Sequence, residues 1–230
     1  MGFMKTKKLK IALAEDHIIV RAGLKALLEF EPDFLVVGEA DNGIDAIKLV
    51  AKVLPDLVIM DIAMPKLNGI EASKQILAKH PNMKILILSA HSDDGYMEKI
   101  RQLGVRGYLV KQCSPHLLVE AVRAIAAGQK VFSPEIETRM DFLKRSKRFS
   151  SERGFGGNID LSARESEVLQ LVAEGNSNKM VAFELGISIK TVEKHRQSLM
   201  NKLAIHDTAG LTRHAISQGI IRSDLSAVAN

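Results

Sequence analysis

The sequence predicts an α/β protein, a doubly wound five-stranded parallel sheet, followed by a second, smaller all-α domain. Three observations predict it. From Leu9 to about Gly128, short apolar runs alternate with longer amphipathic stretches. From Asp160 onward the apolar residues recur at helical spacing throughout. Between these regions, Ser150-Ser151-Glu152-Arg153-Gly154-Phe155-Gly156-Gly157-Asn158 has the small, polar, glycine-rich composition of a flexible linker. The expected domains are therefore 1–132 and 160–222, with 133–159 a connection that is partly helical and then flexible.

In the first domain, strands are expected at 9–14, 34–40, 56–61, 84–89 and 106–110, and helices at 17–30, 43–54, 69–80, 94–104 and 115–127. Runs such as Leu57-Val58-Ile59-Met60 are apolar without alternation, as strands buried on both faces are. Right-handed crossovers then place helices on both sides of the sheet. Gly38, Gly43, Gly69, Gly104 and Gly128 read as boundary markers. A short helix is expected at 135–147.

The ends of these strands carry the chemistry. Asp61 closes one strand, Glu15 and Asp16 close another, Ser89 a third and Lys111 a fourth. Open parallel sheets bind ligands at the C-terminal ends of their strands, so these groups converge on one rim. Singly, an acid such as Asp16 could cap the helix that follows it. Together, three close carboxylates repel one another unless a cation lies among them, and hard oxygen ligands suit Mg²⁺.

Composition narrows the setting. The net charge is +5, with Lys5, Lys7, Lys8 and Lys10 at the start and further basic clusters at 144–148 and 190–202, which permits a polyanionic partner. A single cysteine, Cys113, excludes an internal disulfide and a cysteine zinc site. No apolar run approaches the ~18 residues of a spanning helix, and the expected compartment is the cytoplasm. Met1-Gly2-Phe3-Met4-Lys5-Thr6 fits a myristoylation pattern, but so short a match carries little weight.

In the second domain, helices are expected at 163–174, 178–185, 189–203 and 208–218. Ser162 and Glu165 form a capping-box pattern, and Gly175 and Gly186 suit helix stops. Gly186-Ile187-Ser188 between two helices has helix-turn-helix spacing. Val192, Leu199 and Leu203 share one face of the third helix, with Arg196 at its edge. Lys190, Glu193, Lys194, Gln197 and Asn201 occupy the other, a mixture of cations and amides suited to phosphates and base edges. In the last helix, Leu211 and Ala215 offer either a dimer surface or core.

Residues 8–130 resemble the receiver domain of two-component response regulators. The resemblance implies a flavodoxin-like fold with Asp61 as the phosphoacceptor. Mg²⁺ would be held by Asp16, Asp61 and the carbonyl of Ala63, with Glu15 assisting. It further implies that Lys111 pairs with the phosphoryl group, and that Ser89 and Tyr108 form the switch. One departure is Lys111-Gln112, where the family often has Lys-Pro with a cis bond; without proline that bond costs ~2.5–4 kcal/mol. Phosphatases with an aspartate nucleophile need a second acid where this chain has Ala63, and no phosphate-binding glycine loop ending in Lys-Ser/Thr is present.

The string Leu161-Ser162-Ala163-Arg164-Glu165, Glu167-Val168-Leu169, Glu174-Gly175, Ser177-Asn178-Lys179, Ile187-Ser188 and Lys190-Thr191-Val192 with His195 resembles the LuxR-type DNA-binding domain. The two halves together are similar to NarL/FixJ-type response regulators. That resemblance implies Lys190, Glu193, Lys194 and Gln197 toward the major groove, and Lys179, Thr191 and Arg196 nearer phosphates. His195 would serve packing and hydrogen bonding rather than metal binding. The implied partners are DNA with two half-sites, a sensor histidine kinase as phosphodonor, the transcription machinery and a second copy of the chain. The linker would let the receiver cover the recognition face until phosphorylation. The competing class is a phosphotransfer module whose helical domain binds protein.

Overall fold

The computed structural model describes residues 7–90, 100, 102–134, 136–138 and 161–221. The linker at 150–158 lies outside these residues, as do 94–99 of the helix expected at 94–104 and most of the helix expected at 135–147.

The sheet contains β1 (Leu9–Ala14), β2 (Phe34–Ala40), β3 (Leu57–Met60), β4 (Lys84–Ser89), β5 (Gly107–Val110) and β6 (Val131–Phe132). All pairings are parallel, in the order β2-β1-β3-β4-β5-β6. The five expected strands are present, and a sixth corrects the count. β6 pairs Val131 with Gly107 and Phe132 with Tyr108; two residues are too short to show any periodicity. Gly38 is also not a boundary. It lies inside β2, beside a register shift at Ile11/Ala12.

Helices α1 (Ile18–Glu29), α2 (Gly43–Val53), α3 (Gly69–Lys79) and α4 (Pro115–Ala126) cover the sheet. Successive strand residues point to opposite faces, so each strand feeds two cores. Ala12, Val58, Met60, Ile85 and Ile87 pack with Ala46, Val50, Ala72 and Ile76 of α2 and α3. Ile11, Leu13, Ile59, Leu86 and Leu88 pack with Leu28, Leu118, Val122 and Ile125 of α1 and α4. This double coverage explains the unbroken apolar strands.

The second domain comprises α5 (Ala163–Ala173), α6 (Asn178–Leu185), α7 (Ile189–Leu203) and α8 (Thr208–Ser217). Ser162, Ser177, Ser188 and Asp207 each cap one of these helices, and Ser162 with Glu165 completes the capping box. Gly186 ends α6 at φ +63°, the left-handed conformation that glycine adopts without side-chain strain. Val168, Leu169, Val172, Val181, Val192 and Leu199 form its core.

The domains touch. Ile44 of α2 packs against the helical core, while Gln75 of α3 donates to Glu167 of α5 at 3.3 Å. Lys66, before α3, pairs with Glu184 of α6 at 2.7 Å.

Candidate functional site

The β-strand ends assemble the expected rim. Asp61 is 1% exposed, its N–H donating to the carbonyl of Ala14 at 2.8 Å. Its Oδ1 accepts from the N–H of Ile62 at 2.7 Å, which fixes the carboxylate plane. Lys111 Nζ lies 2.9 Å from Asp61 Oδ2 and 2.7 Å from Glu15 Oε2, tying the ends of β3, β1 and β5 together. Ser89 is buried at the end of β4, and its carbonyl accepts from the N–H of Lys111 at 2.8 Å. Tyr108 is wholly buried in the core on the α2/α3 side, so it already points inward. No cis peptide bond occurs among the described residues.

The rim acids have unfilled capacity. Asp16 Oδ1 and Asp61 Oδ2 are buried without a hydrogen bond among the described residues, although His17 Nδ1 and Lys111 Nζ approach each at 2.9 Å. Both nitrogens are close to these oxygens but are not aligned as donors. Ligand atoms of Glu15, Asp16, His17 and Asp61 all lie within 4.8 Å of one another. Buried lone pairs of this kind are costly unless a donor or cation meets them. The oxygen-rich set therefore fits a hard divalent cation. His17 was not foreseen in the cluster. Its exposed imidazole is a poor ligand for Mg²⁺ and better suited to pairing with the two acids. The capping alternative for Asp16 fails. The cap position of α1 is His17, with no side-chain cap bond.

Gly69 is required by close approach. A Cβ there would fall 1.8 Å from the carbonyl oxygen of Asp61, and the N–H of Gly69 donates to the carbonyl of Ile62 at 2.8 Å. The start of α3 is thereby packed against the acceptor, and Ala63 stands in the half-buried loop between them.

On α7, Val192 and Leu199 are buried, while Lys190, Glu193, Lys194, Gln197 and Asn201 are exposed. Gln197 Nε2 donates to Asn201 Oδ1 at 3.0 Å. Thr191 is half-buried with its hydroxyl 2.8 Å from that of Ser188, and Lys179 is exposed in the first turn of α6. Arg196 is engaged as a brace, donating to Asn178 at 2.8 Å and Thr208 at 2.7 Å. His195 is half-buried but makes no hydrogen bond among the described residues, so only the packing expectation holds for it. Leu211 and Ala215 are fully buried core, which removes them as a dimer surface. The receiver docks on α5 and α6 and leaves the α7 face open, contrary to the expected masking.

Glu165 does more than cap. Its carboxylate accepts from Ser198 at 2.7 Å and Lys202 at 2.7 Å, holding α7 against the start of α5. Burial alone would raise its pKa, but bonds from Lys202, Ser198 and Ser162 outweigh it and hold the carboxyl at about 2.

Comparison with known proteins agrees on both halves. Residues 11–123 match the response regulator receiver domain, and residues 160–215 match the bacterial regulatory proteins of the luxR family. The chain is 34% identical over 227 residues to the transcriptional regulatory protein DegU of Brevibacillus brevis, covering 94% of this chain and 96% of that protein. It is 32% identical over 216 residues to the response regulator UvrY of Escherichia coli K12, covering 94% and 97%. Among solved structures, the RcsB–DNA complex is 28% identical with a TM-score of 0.56, covering 92% of this chain and 99% of that one. With receiver and helix-turn-helix domains in this order, and relatives matched along nearly their whole length, the chain belongs to the NarL/FixJ-type two-component response regulators.

Proposed function

We propose that this transcriptional regulator is phosphorylated on Asp61 and that the modification controls dimerisation and sequence-specific DNA binding. The observation that supports it most is the buried carboxylate of Asp61 beside Lys111, with an oxygen that no hydrogen bond satisfies among the described residues. Phosphoryl transfer needs an in-line nucleophile and cations to neutralise the equatorial oxygens. Asp61 supplies the nucleophile, and the phosphodonor, a sensor histidine kinase, supplies the phosphoryl group. Asp16, Asp61 and the Ala63 carbonyl, assisted by Glu15, would hold Mg²⁺, which offsets developing charge when bound. Lys111 exchanges its pairing with Glu15 and Asp61 for the phosphoryl oxygens. Ser89 donates to the same oxygens, and Tyr108 keeps its buried position behind it. The receiver thus promotes its own phosphorylation and dephosphorylation without being a dedicated enzyme.

The functional domains would span 1–132 and 160–222. Lys190, Glu193, Lys194, Gln197 and Asn201 face the major groove, while Lys179 and Thr191 approach phosphates. Arg196 positions the recognition helix and offers its remaining donors to the backbone. A phosphorylated homodimer would read two half-sites about one helical turn apart. The RcsB chain, solved as dimers on DNA and as a DNA complex, supports this reading. A cytoplasmic setting agrees with the absence, among the described residues, of any helix long and apolar enough to cross a membrane.

The test combines acetyl phosphate and Mg²⁺ with light scattering and DNA-affinity measurements. Phosphorylated protein should bind DNA more tightly and scatter as a dimer. Unchanged mass and affinity after stoichiometric phosphorylation would contradict the control mechanism.

A further inference from the structure

The loop that follows the acceptor is held from two sides. From the receiver, Gly69 and Met64 both donate to the carbonyl of Ile62, at 2.8 and 3.2 Å, and Gly43 donates to the carbonyl of Leu67 at 2.9 Å. From the DNA-binding domain, Gln170 of α5 reaches across. Its Nε2 donates to the carbonyl of Met64 at 2.9 Å and to Glu174 Oε1 at 2.8 Å. Its Oε1 accepts from the N–H of Asn68 at 2.7 Å and from Asn68 Nδ2 at 3.1 Å. Glu174 in turn accepts from the N–H of Lys66 at 3.0 Å.

Gln170 is 1% exposed, and both ends of its amide are fully used. Only one orientation of the amide satisfies this set of partners. Lys66 sits at φ +65°, a left-handed conformation that is unfavourable for a residue with a Cβ. Such a residue persists where its surroundings over-determine it. Here Glu174 binds its N–H and Glu184 its ammonium.

We propose that Gln170, a residue of the DNA-binding domain, is a positioning residue for the receiver's metal and phosphoryl chemistry. It fixes the Met64–Pro65 peptide, the next one after the carbonyl of Ala63, and Glu174 fixes Lys66, so that domain docking keeps the acceptor loop ready for a divalent cation. The proposal rests on Asp61 being the acceptor. The docked arrangement is already metal-ready, because the ligand atoms of Glu15, Asp16 and Asp61 converge within 4.8 Å. Partners that orient ligands from behind commonly change metal affinity by about 10–100-fold when removed. Gln170 acts one residue beyond the carbonyl of Ala63, so the lower end of that range applies. By linkage, Mg²⁺ must strengthen docking by the same factor that docking strengthens Mg²⁺.

The experiment is a calorimetric titration of the full chain with MgCl₂ at constant ionic strength. Gln170→Ala should bind Mg²⁺ about tenfold more weakly than wild type. Glu174→Gln keeps an acceptor for the Lys66 N–H and should stay within about twofold, whereas Glu174→Ala should follow Gln170→Ala. Labelling by acetyl phosphate should slow in Gln170→Ala at low Mg²⁺ and recover at saturating Mg²⁺, a split that general misfolding does not produce. Unchanged DNA affinity of the unphosphorylated variant verifies that its helical domain is intact. Hydrogen exchange supplies the reciprocal readout, with Mg²⁺ raising protection of α5 amides in wild type and not in Gln170→Ala. Equal or tighter Mg²⁺ binding by Gln170→Ala overturns the proposal while leaving Asp61 as acceptor. Failure of wild type to bind Mg²⁺, or undiminished binding by Asp61→Asn, removes the acceptor reading itself, and this inference falls with it.

Discussion

Asp61 reaches its partners from the ends of separate strands and is almost wholly buried, whereas Lys194 and Gln197 stand in solvent on a single helix. The rim requires the whole sheet to be in register, because Glu15, Asp61 and Lys111 come from β1, β3 and β5. The α7 face requires only one helix presented at a fixed angle. Charges at the rim interact in a poorly screened environment, so each one alters its neighbours strongly. Charges on α7 are screened by water and salt until DNA displaces both. A single change should therefore be all-or-none at the rim and graded on the helix.

The largest effect tests the first half of that contrast. Asp61→Asn keeps the shape but removes the nucleophile, so incorporation of phosphate from acetyl phosphate with Mg²⁺ should fall to background. Mass spectrometry of the intact chain measures it. Wild-type labelling in the variant would move the acceptor elsewhere.

On α7 the expected losses are partial. Gln197→Ala and Lys194→Ala should each cost ~1–3 kcal/mol at a preferred DNA site and flatten the preference among sites. Titrations on preferred and scrambled duplexes give both quantities. If preference survives both substitutions, this face does not read bases, and a protein-binding role for the helical domain gains support.

Glu165 sharpens the comparison, because it places a buried charge behind the exposed face. Its folded pKa of about 2 lies below the unfolded value of about 4.3. A depressed carboxyl contributes stability above the unfolded pKa and loses it as pH falls through the folded one. The window is therefore about pH 5 down to 2, and the contribution at neutral pH is on the order of 3 kcal/mol. Glu165→Gln should destabilise the helical domain at pH 7 and flatten the acid limb of its unfolding curve. Denaturant unfolding of the helical domain followed at about pH 7 and in steps from about pH 5 to 2 reports the change. An unaltered pH slope would show that Lys202 and Ser198 do not stabilise the ionised carboxylate.

How readily each feature was read from sequence follows the same division. Parallel strands put their C-terminal ends on one edge, so Glu15, Asp16, Asp61, Ser89 and Lys111 were legible from apolar runs alone. The open face of α7 was legible from a period of 3.6. Gln170 and Glu174 were not, because their partners Met64, Lys66 and Asn68 lie about a hundred residues away and no local pattern marks a contact between domains. Leu211 and Ala215 were ambiguous because core and dimer surfaces share one apolar signature. β6 was lost to its length, and the full role of Glu165 was hidden by its capping-box spacing.

Lys179 should give the smallest effect and the cleanest separation of affinity from specificity. It lies in the first turn of α6, where Ser177 caps the helix and uncompensated N–H groups favour an anion. No base edge is expected within its reach, because α7 rather than α6 presents the reading face. Removing its charge deletes one phosphate contact and the counterion release that accompanies it. Lys179→Ala should weaken preferred and scrambled duplexes alike and reduce the magnitude of the log affinity against log salt slope by about 0.9. Titrations at several salt concentrations measure that slope. A loss confined to the preferred duplex would place Lys179 among the base-reading residues and blur the division between α6 and α7.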